Sequence, residues 1–315
     1  MKKRSAMLLI LIAVLAAVII LYAIISNISK ENNTPVITID TSPIILAEDN
    51  PADIISLSYT YGGETYEFEF STVAYKWYYK PDNNFPLDQT YLQYMASAIS
   101  SMAANRLLEE TRDNFAQYGL DKPYMTLKAV FKPEKKDEYT RIYNIGDLNT
   151  FNDNYYFNVG GTDTVYTIVS GLTAFFEYKL LDLAIVDKIP SFTSNVYSIK
   201  EIIINDISVT DAETLKTLAG KCAVLQLGKP VAYIGVSPTS NEYGFNEGSS
   251  AIIINYTEEV KVQNEEDTIS SSVHKNVTLR LTFGKENNGI TYCMANGNGL
   301  VYEVDAKSVL NILGE

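Results

Sequence analysis

The alternation of apolar and polar residues predicts a chain built around β-hairpins. Residues 54–61 and 65–70 alternate with period two on either side of Gly62 and Gly63. A glycine pair suits the positive φ angles of a tight hairpin turn. The same pattern predicts further strands at residues 74–79, 124–131, 139–145, 154–159 and 165–169 in the first half, and at 198–205, 251–256, 277–283, 290–294 and 300–304 in the second.

Apolar residues at helical spacing predict fewer elements. Asp88 can cap a helix that runs to about residue 105, with Leu92, Met95, Ile99 and Met102 on one face. Thr210 and Glu213 fit a capping box that opens a helix to about residue 220. Residues 171–181 and 305–313 are also predicted to be helical.

A long apolar run near the N-terminus indicates where in the cell the protein is expected. Residues 6–25 contain no charge and follow three basic side chains. At a rise of about 1.5 Å per residue they span roughly 30 Å, the thickness of the hydrocarbon core. The positive-inside rule predicts a single-pass signal anchor, with a cytoplasmic N-terminus and the rest of the chain outside the cell membrane. A cleaved signal peptide and a buried core helix are the alternatives.

Four short matches in the same order indicate an internal duplication. Tyr118-Gly119-Leu120-Asp121 corresponds to Tyr243-Gly244-Phe245-Asn246, and Gly146 corresponds to Gly284. Further along, Tyr155-Tyr156-Phe157 aligns with Tyr292-Cys293-Met294, and Val165-Tyr166 aligns with Val301-Tyr302. The glycines of these matches are interpreted as turn positions with a structural role.

The predicted fold class is therefore α+β. An N-terminal transmembrane helix precedes two related units, each an antiparallel, hairpin-rich sheet with a helix packed on one face. The predicted division is an anchor (1–25), a tether with a first strand (26–50), a first unit (51–186) and a second unit (187–315). The extra length of the second unit falls in residues 257–276, a polar stretch predicted to be an exposed loop insertion.

Charge and composition exclude several classes of function. The chain has 315 residues and a net charge of −13, which disfavours nucleic acid as a partner. Without the anchor, 22 basic and 38 acidic side chains remain, a charge of −16. One His and two Cys are too few for the four ligands of a structural His/Cys zinc site. No cofactor, metal or catalytic constellation is predicted.

The remaining candidates for chemistry each have an ordinary structural explanation. His274 is expected in an exposed loop, although a general base is the alternative. Cys222 and Cys293 are either two buried thiols or, after export, a disulfide. The acidic residues of 258–267 lack the spacing of a calcium loop. Trp77, Tyr78 and Tyr79 are candidates for a ligand or partner surface, or they are ordinary strand residues.

Several motifs resemble a known bacterial family. They are WYYKP at residues 77–81, YGLDKP at 118–123, IGDLN at 145–149, NYYFNVGG at 154–161 and TVYTI at 164–168. Together they resemble domain-of-unknown-function family 4340, over about residues 54–183. The resemblance implies a membrane-anchored protein linked to transport systems of the ATP-binding-cassette type, including those related to gliding motility. It carries over no catalytic residues.

We therefore expect a non-enzymatic accessory or scaffold of a transport complex in the bacterial cell envelope. Residues 6–25 would contact the lipid bilayer, and the exported part would contact a protein partner. A ligand-binding module for glycan or peptide, using the cleft between the units and the strand around Trp77, is the second hypothesis. An enzyme that acts on the envelope is the third.

Overall fold

The computed structural model describes residues 42–109, 112–192, 197–235, 239–262 and 271–314. Pro43 to Glu315 forms one compact unit. The strands of its first half are β1 (Ile44–Ile45), β2 (Ile54–Tyr61), β3 (Glu64–Ser71), β4 (Lys76–Tyr79), β5 (Ala103–Ala104), β6 (Arg106–Glu109), β7 (Met125–Phe131), β8 (Tyr139–Asn149), β9 (Asn154–Val159) and β10 (Val165–Val169).

The strands of the second half form a sheet of their own. They are β11 (Tyr197–Ile204), β12 (Ile207–Val209), β13 (Ala232–Tyr233), β14 (Ala251–Val262), β15 (Ser271–Asn287), β16 (Ile290–Ala295) and β17 (Leu300–Asp305). Their spatial order is β12–β11–β14–β15–β16–β17–β13. In the first half, eight strands follow the order β4–β3–β2–β7–β8–β9–β10–β6, and β1 pairs with β5 in a separate small sheet.

Three α-helices accompany the sheets in the described ranges: α1 (Gln89–Ser100), α2 (Ala212–Val224) and α3 (Ala306–Leu313). An aspartate caps each N-terminus, because Asp88, Asp211 and Asp305 accept hydrogen bonds from the backbone N–H groups of the first turn. The 3-10 helices are Pro51–Asp53, Arg112–Tyr118, Ser170–Phe175 and Leu180–Leu183.

The two large sheets share one strand order. Each begins with a hairpin, continues through a helix and a short edge strand, and ends in a four-stranded meander whose last strand pairs with that edge strand. The irregularities also coincide. The register shifts between Ile54 and Ser56 on β2, and between Ile199 and Glu201 on β11. The order differs only at β4, which has no counterpart beyond β12.

The predicted fold class is wrong. The described chain is mostly β-sheet, and its longest α-helix has 13 residues. No helix in the described ranges is long and apolar enough to cross a membrane. The predicted transmembrane helix, residues 6–25, lies outside the described residues. Polar residues on the solvent-facing side of antiparallel strands resemble loop residues in sequence. The pattern therefore predicted too few strand residues.

The polar stretch 257–276 shows this error most clearly. Instead of an irregular loop, its described residues continue the hairpin of β14 and β15. Val260 pairs with Val273, and Glu259 pairs with His274. Cross-strand pairing satisfies the backbone, and alternation places polar side chains on one face. The helical prediction for residues 171–181 is met only by two 3-10 helices, Ser170–Phe175 and Leu180–Leu183, with non-helical residues between them.

The hydrophobic core is continuous between the halves. One cluster of buried side chains includes Phe68, Leu92 and Ile145 from the first half, and Ile202 and Leu281 from the second. Strands of both sheets contribute alternate residues to it, and each helix contributes one face. A cavity lies beside this cluster, where the halves meet.

Candidate functional site

Asp187 joins the linker between the halves to the second sheet. Oδ2 of Asp187 accepts hydrogen bonds from the Tyr302 hydroxyl at 2.9 Å and from Asn298 Nδ2 at 2.6 Å. The backbone N–H of Asp187 donates to the same hydroxyl at 3.0 Å. Burial and the nearby carboxylate raise the pKa of Tyr302, so this phenol stays a neutral donor at physiological pH.

A second contact between the halves lies at Tyr233 on β13. Its hydroxyl donates to Oδ2 of Asp82 at 2.7 Å, and its ring packs edge-on against Phe85 with the centroids 5.0 Å apart. The hydrogen bond from Tyr233 lowers the pKa of Asp82, because it stabilises the carboxylate. The turn after β4 is thereby tied to the edge of the second sheet.

A cavity of about 440 Å³ lies at this joint. Its walls come from the start of α1, from residues 178–188 and from Lys229 and Pro230 of the second half. The polar and aromatic side chains that line it are Asp88, Tyr91, Tyr178, Asp182, Lys188 and Lys229. The volume falls within the range of small-ligand sites.

An aromatic pair and an ion pair are both part of the wall. The rings of Tyr91 and Tyr178 pack edge to face with centroids 4.8 Å apart. Lys229 Nζ lies 3.4 Å from Oδ1 of Asp182, but the Lys229 side chain is 89% exposed. An ion pair so exposed contributes little to stability, and Lys229 is therefore available to a bound molecule.

An extended segment forms the floor of the cavity. Leu87 and Ala184 form an isolated antiparallel bridge. Asp88 N–H donates to the carbonyl of Leu183 at 2.8 Å, and Ile185 N–H donates to the carbonyl of Pro86 at 2.7 Å. The chain from residue 183 onward therefore lies as a short strand against the start of α1.

The three aromatic residues predicted as a surface are divided between two faces of β4. Trp77 is buried and Tyr79 half-buried on the side that faces the core, whereas Tyr78 lies on the other side, with Lys76 Nζ 4.6 Å from its ring centroid. The strand edge is covered at Trp77: its N–H donates to Gln89 Oε1 at 2.6 Å, and its carbonyl accepts from Gln89 Nε2 at 3.1 Å.

Trp77 lines a second, apolar groove of about 300 Å³ beside α1, and this groove has a counterpart in the second half. Ile54, Gln93, Ala96 and Ser97 line the first. The equivalent residues on β11 and α2 line a groove of about 590 Å³; they are Ile199, Lys216, Ala219 and Gly220. The second groove has the larger volume, and in the described part of the chain no strand equivalent to β4, which carries Trp77, follows β12.

The residues of the duplicated turns occupy matching structural positions. Gly119 and Gly244 have φ angles of +68° and +75°, a region that favours glycine. The carbonyl of Tyr118 lies directly against Gly146, and that of Tyr243 against Gly284. Asp121 and Asn246 are exposed at the turns that follow. These residues form turns and close backbone crossings.

The strand register corrects one of the sequence matches. Ile145 pairs with Phe157, and the equivalent Phe283 pairs with Cys293. Tyr156 therefore corresponds to Tyr292, one position later than the sequence alignment suggested. The ring contacts agree, because Tyr118 packs on Tyr156 with centroids 4.8 Å apart, and Tyr243 packs on Tyr292 with centroids 5.1 Å apart.

The remaining reactive side chains lie apart from the cavity lining. Cys222 and Cys293 are both buried free thiols, and burial raises the pKa of the Cys222 thiol to about 12. His274 lies on β15 opposite Glu259. Within the described ranges, no group of three His, Cys, Asp or Glu side chains is placed to hold a metal ion.

Sequence reasoning missed the joint and most of the cavity. It predicted a cleft between the units, but Asp82, Asp187, Tyr233 and Tyr302 were not recognised as the residues that join them. The bond between Asp187 and Tyr302 connects residues 115 positions apart, and no local pattern encodes such a pairing. The only available signal was the predicted boundary between the units, at residues 186 and 187.

Comparison with known proteins gives a family and no function. No curated protein and no solved structure was found to match the chain. A family model described as "Domain of unknown function (DUF4340)" matches residues 77–188. Nine of the eleven residues that line the joint cavity fall in this segment. The match confirms, over residues 77–188, the resemblance seen in the motifs.

Proposed function

We propose that the protein is a non-enzymatic accessory or scaffold of a transport complex in the cell envelope. In this proposal, residues 6–25 anchor the chain in the cell membrane, and the part that follows lies outside and contacts a protein subunit of a transporter of the ATP-binding-cassette type. The apolar run, its preceding basic residues and the family resemblance motivate the location and the setting.

The observation that carries the proposal is the joint between the halves. Asp187 is held by Tyr302 and Asn298, and Asp82 is held by Tyr233, so half-buried hydrogen bonds tie the two halves together. A continuous core lies beside these contacts. A body joined in this way presents its surfaces at constant spacing, which is what a scaffold requires of the surfaces that its partner contacts.

Crosslinking in intact cells tests the proposal. The full chain, with a C-terminal affinity tag, is expressed in the organism of origin, treated with a membrane-permeant crosslinker and purified from solubilised membranes. We expect transporter subunits to be enriched over a control in which an unrelated single-pass anchor carries the same tag. Recovery of the chain in the soluble fraction, or no enrichment of any envelope protein, would contradict the proposal.

The topology is tested separately. A protease added to intact spheroplasts should digest the region after residue 25 and leave an N-terminal cytoplasmic tag intact. Protection of the C-terminal region would contradict the proposed orientation, whatever partner the crosslinking finds.

A further inference from the structure

We propose that the cavity at the joint binds an extended peptide segment of the partner protein, which pairs with residues 184–186 as an added strand. This inference rests on the proposed function, since it assumes a protein partner, and it assigns the place and the manner of contact. The support comes from the backbone of the cavity floor and from the side chains around it.

The backbone of the floor has one satisfied edge, and on its other edge Ala184 donates its N–H to the carbonyl of Leu181 at 3.3 Å, which leaves the groups of Val186 open. Ile185 donates its N–H to Pro86, and Leu183 accepts from Asp88, so these two residues face the start of α1. Backbone groups of successive residues in an extended chain point to opposite sides. The N–H and carbonyl of Val186 therefore point away from Pro86, and within the described part of the chain they make no hydrogen bond.

An open strand edge is a template for another strand. In antiparallel pairing, one residue exchanges both of its backbone hydrogen bonds with the residue opposite, and Val186 offers that donor and acceptor together. On β4, by contrast, Gln89 covers the edge groups of Trp77. Val186, which carries this open edge, lines the cavity.

Side chains of the wall suit a peptide of mixed polarity. Ile185 is 55% exposed and offers an apolar contact. One carboxylate oxygen of Asp88 caps α1, which leaves the second oxygen available. Lys188 forms no ion pair within the described residues, so a carboxylate of the ligand can bind there. The Tyr91 and Tyr178 rings provide an aromatic wall for one side chain of the ligand.

The backbone edge favours a peptide over a glycan. Sugar hydroxyls could bind Asp88, Lys188 and the tyrosine hydroxyls, but they would not reproduce the paired donor and acceptor at Val186. A volume of about 440 Å³ admits a few residues of an extended chain and excludes a folded domain.

Site-specific photocrosslinking locates the contact in the full-length protein. A benzophenone amino acid is placed at Ile185 and, as a matched control, at Ile207, which is 70% exposed on the outer strand β12. We expect an adduct with a membrane-complex protein from position 185 and none from 207. Mass spectrometry of the adduct identifies the crosslinked segment, which is then made as a synthetic peptide.

Binding of that peptide to the purified full-length protein tests the strand pairing. N-methylation of alternate backbone positions removes hydrogen bonds on one edge of the peptide only. We expect methylation on the edge that pairs with Val186 to weaken binding at least fivefold, and methylation on the other edge to change it less than twofold. The protein variant Val186→Pro, which lacks the N–H, should weaken binding to the same degree as the first peptide.

Each outcome decides between the proposals. Adducts from Ile207 but not from Ile185 would contradict the peptide site and leave the proposed function standing. No protein adduct from either position, with no partner in the membrane crosslinking, would contradict both. Equal effects of methylation on the two peptide edges would contradict strand pairing. If muropeptide glycan strands bind, and this binding is unchanged by Val186→Pro but lost in Lys188→Ala, the cavity is a glycan site instead.

Discussion

The hydroxyl of Tyr302 donates to Oδ2 of Asp187 at 2.9 Å and accepts from the Asp187 backbone N–H at 3.0 Å. One phenol thus satisfies both the side chain and the main chain of a linker residue. Tyr166 occupies the equivalent place on β10, yet its hydroxyl has no hydrogen-bond partner in the described part of the chain. The same position in the two sheets therefore has different roles, and of these two tyrosines only Tyr302 contributes hydrogen bonds to the joint.

Removing the Tyr302 hydroxyl should loosen the joint. We expect Tyr302→Phe to lower the free energy of unfolding by about 1–3 kcal/mol, because the half-buried backbone N–H and the carboxylate of Asp187 each lose a partner. The matched variant Tyr166→Phe should change it by less than about 0.5 kcal/mol. Urea titrations of both variants measure the difference. Equal losses would show that Asp187 does not depend on Tyr302.

The crossing of Tyr118 over Gly146 leaves no room for a Cβ atom. We expect Gly146→Ala to destabilise the protein by about 1–3 kcal/mol or more, since the new methyl group would overlap the Tyr118 carbonyl. Gly284→Ala should do the same at Tyr243. Gly220→Ala on α2 is the control: it meets no atom within 4 Å, and alanine there should stabilise the helix by about 0.4–1 kcal/mol. Thermal unfolding distinguishes the three.

Local elements were predictable where a short-range rule fixes them. The hairpin of β2 and β3 around Gly62 and Gly63 is confirmed, and so is the helix capped by Asp88, although α1 ends at Ser100, before the predicted end near residue 105. The capping rule named the wrong residue at α2. Asp211 caps this helix, whereas Thr210 was predicted to do so. Competing caps one residue apart cannot be separated by pattern alone.

Long-range features were not predictable for a different reason. The joint cavity depends on Tyr91, Tyr178 and Lys229, which are far apart in sequence and ordinary in type. The grooves beside α1 and α2 are equivalent because the strand registers align Ile54 with Ile199. No sequence match indicated this alignment. The periodicity of apolar residues indicates which face of a helix or strand is buried. It does not indicate which other element packs against that face.

Gln89 protects the edge of β4, so its removal should expose Trp77. We expect Gln89→Ala to lower the free energy of unfolding by about 1–3 kcal/mol, because two backbone groups of Trp77 lose their partners. Trp77 is the sole tryptophan of the chain, and acrylamide quenching of its fluorescence should increase. Thr90→Ala, at the exposed next position of the same helix, should leave quenching nearly unchanged. Aggregation of Gln89→Ala would also follow from an uncovered edge.

Asp49 should make stability depend on acid pH. Burial raises the pKa of Asp49, but hydrogen bonds from Arg141 and Tyr139 outweigh burial and lower it below 3.8. A carboxyl with a lowered pKa stabilises the folded state above its unfolded pKa, and this contribution disappears as pH falls through the folded value. The loss therefore lies below about pH 4.

Substitution of Asp49 should reduce this dependence. We expect Asp49→Asn to lower the free energy of unfolding by about 1–2 kcal/mol at pH 7, because Arg141 loses its charged partner while remaining partly exposed. Near pH 2.5 the variant and the natural protein should differ much less. Asp137→Asn, at an exposed turn, controls for the change of net charge. Urea titrations from pH 2.5 to pH 7 measure the effect, and a difference that stays constant with pH would show that the Asp49 pKa is not lowered in the folded protein.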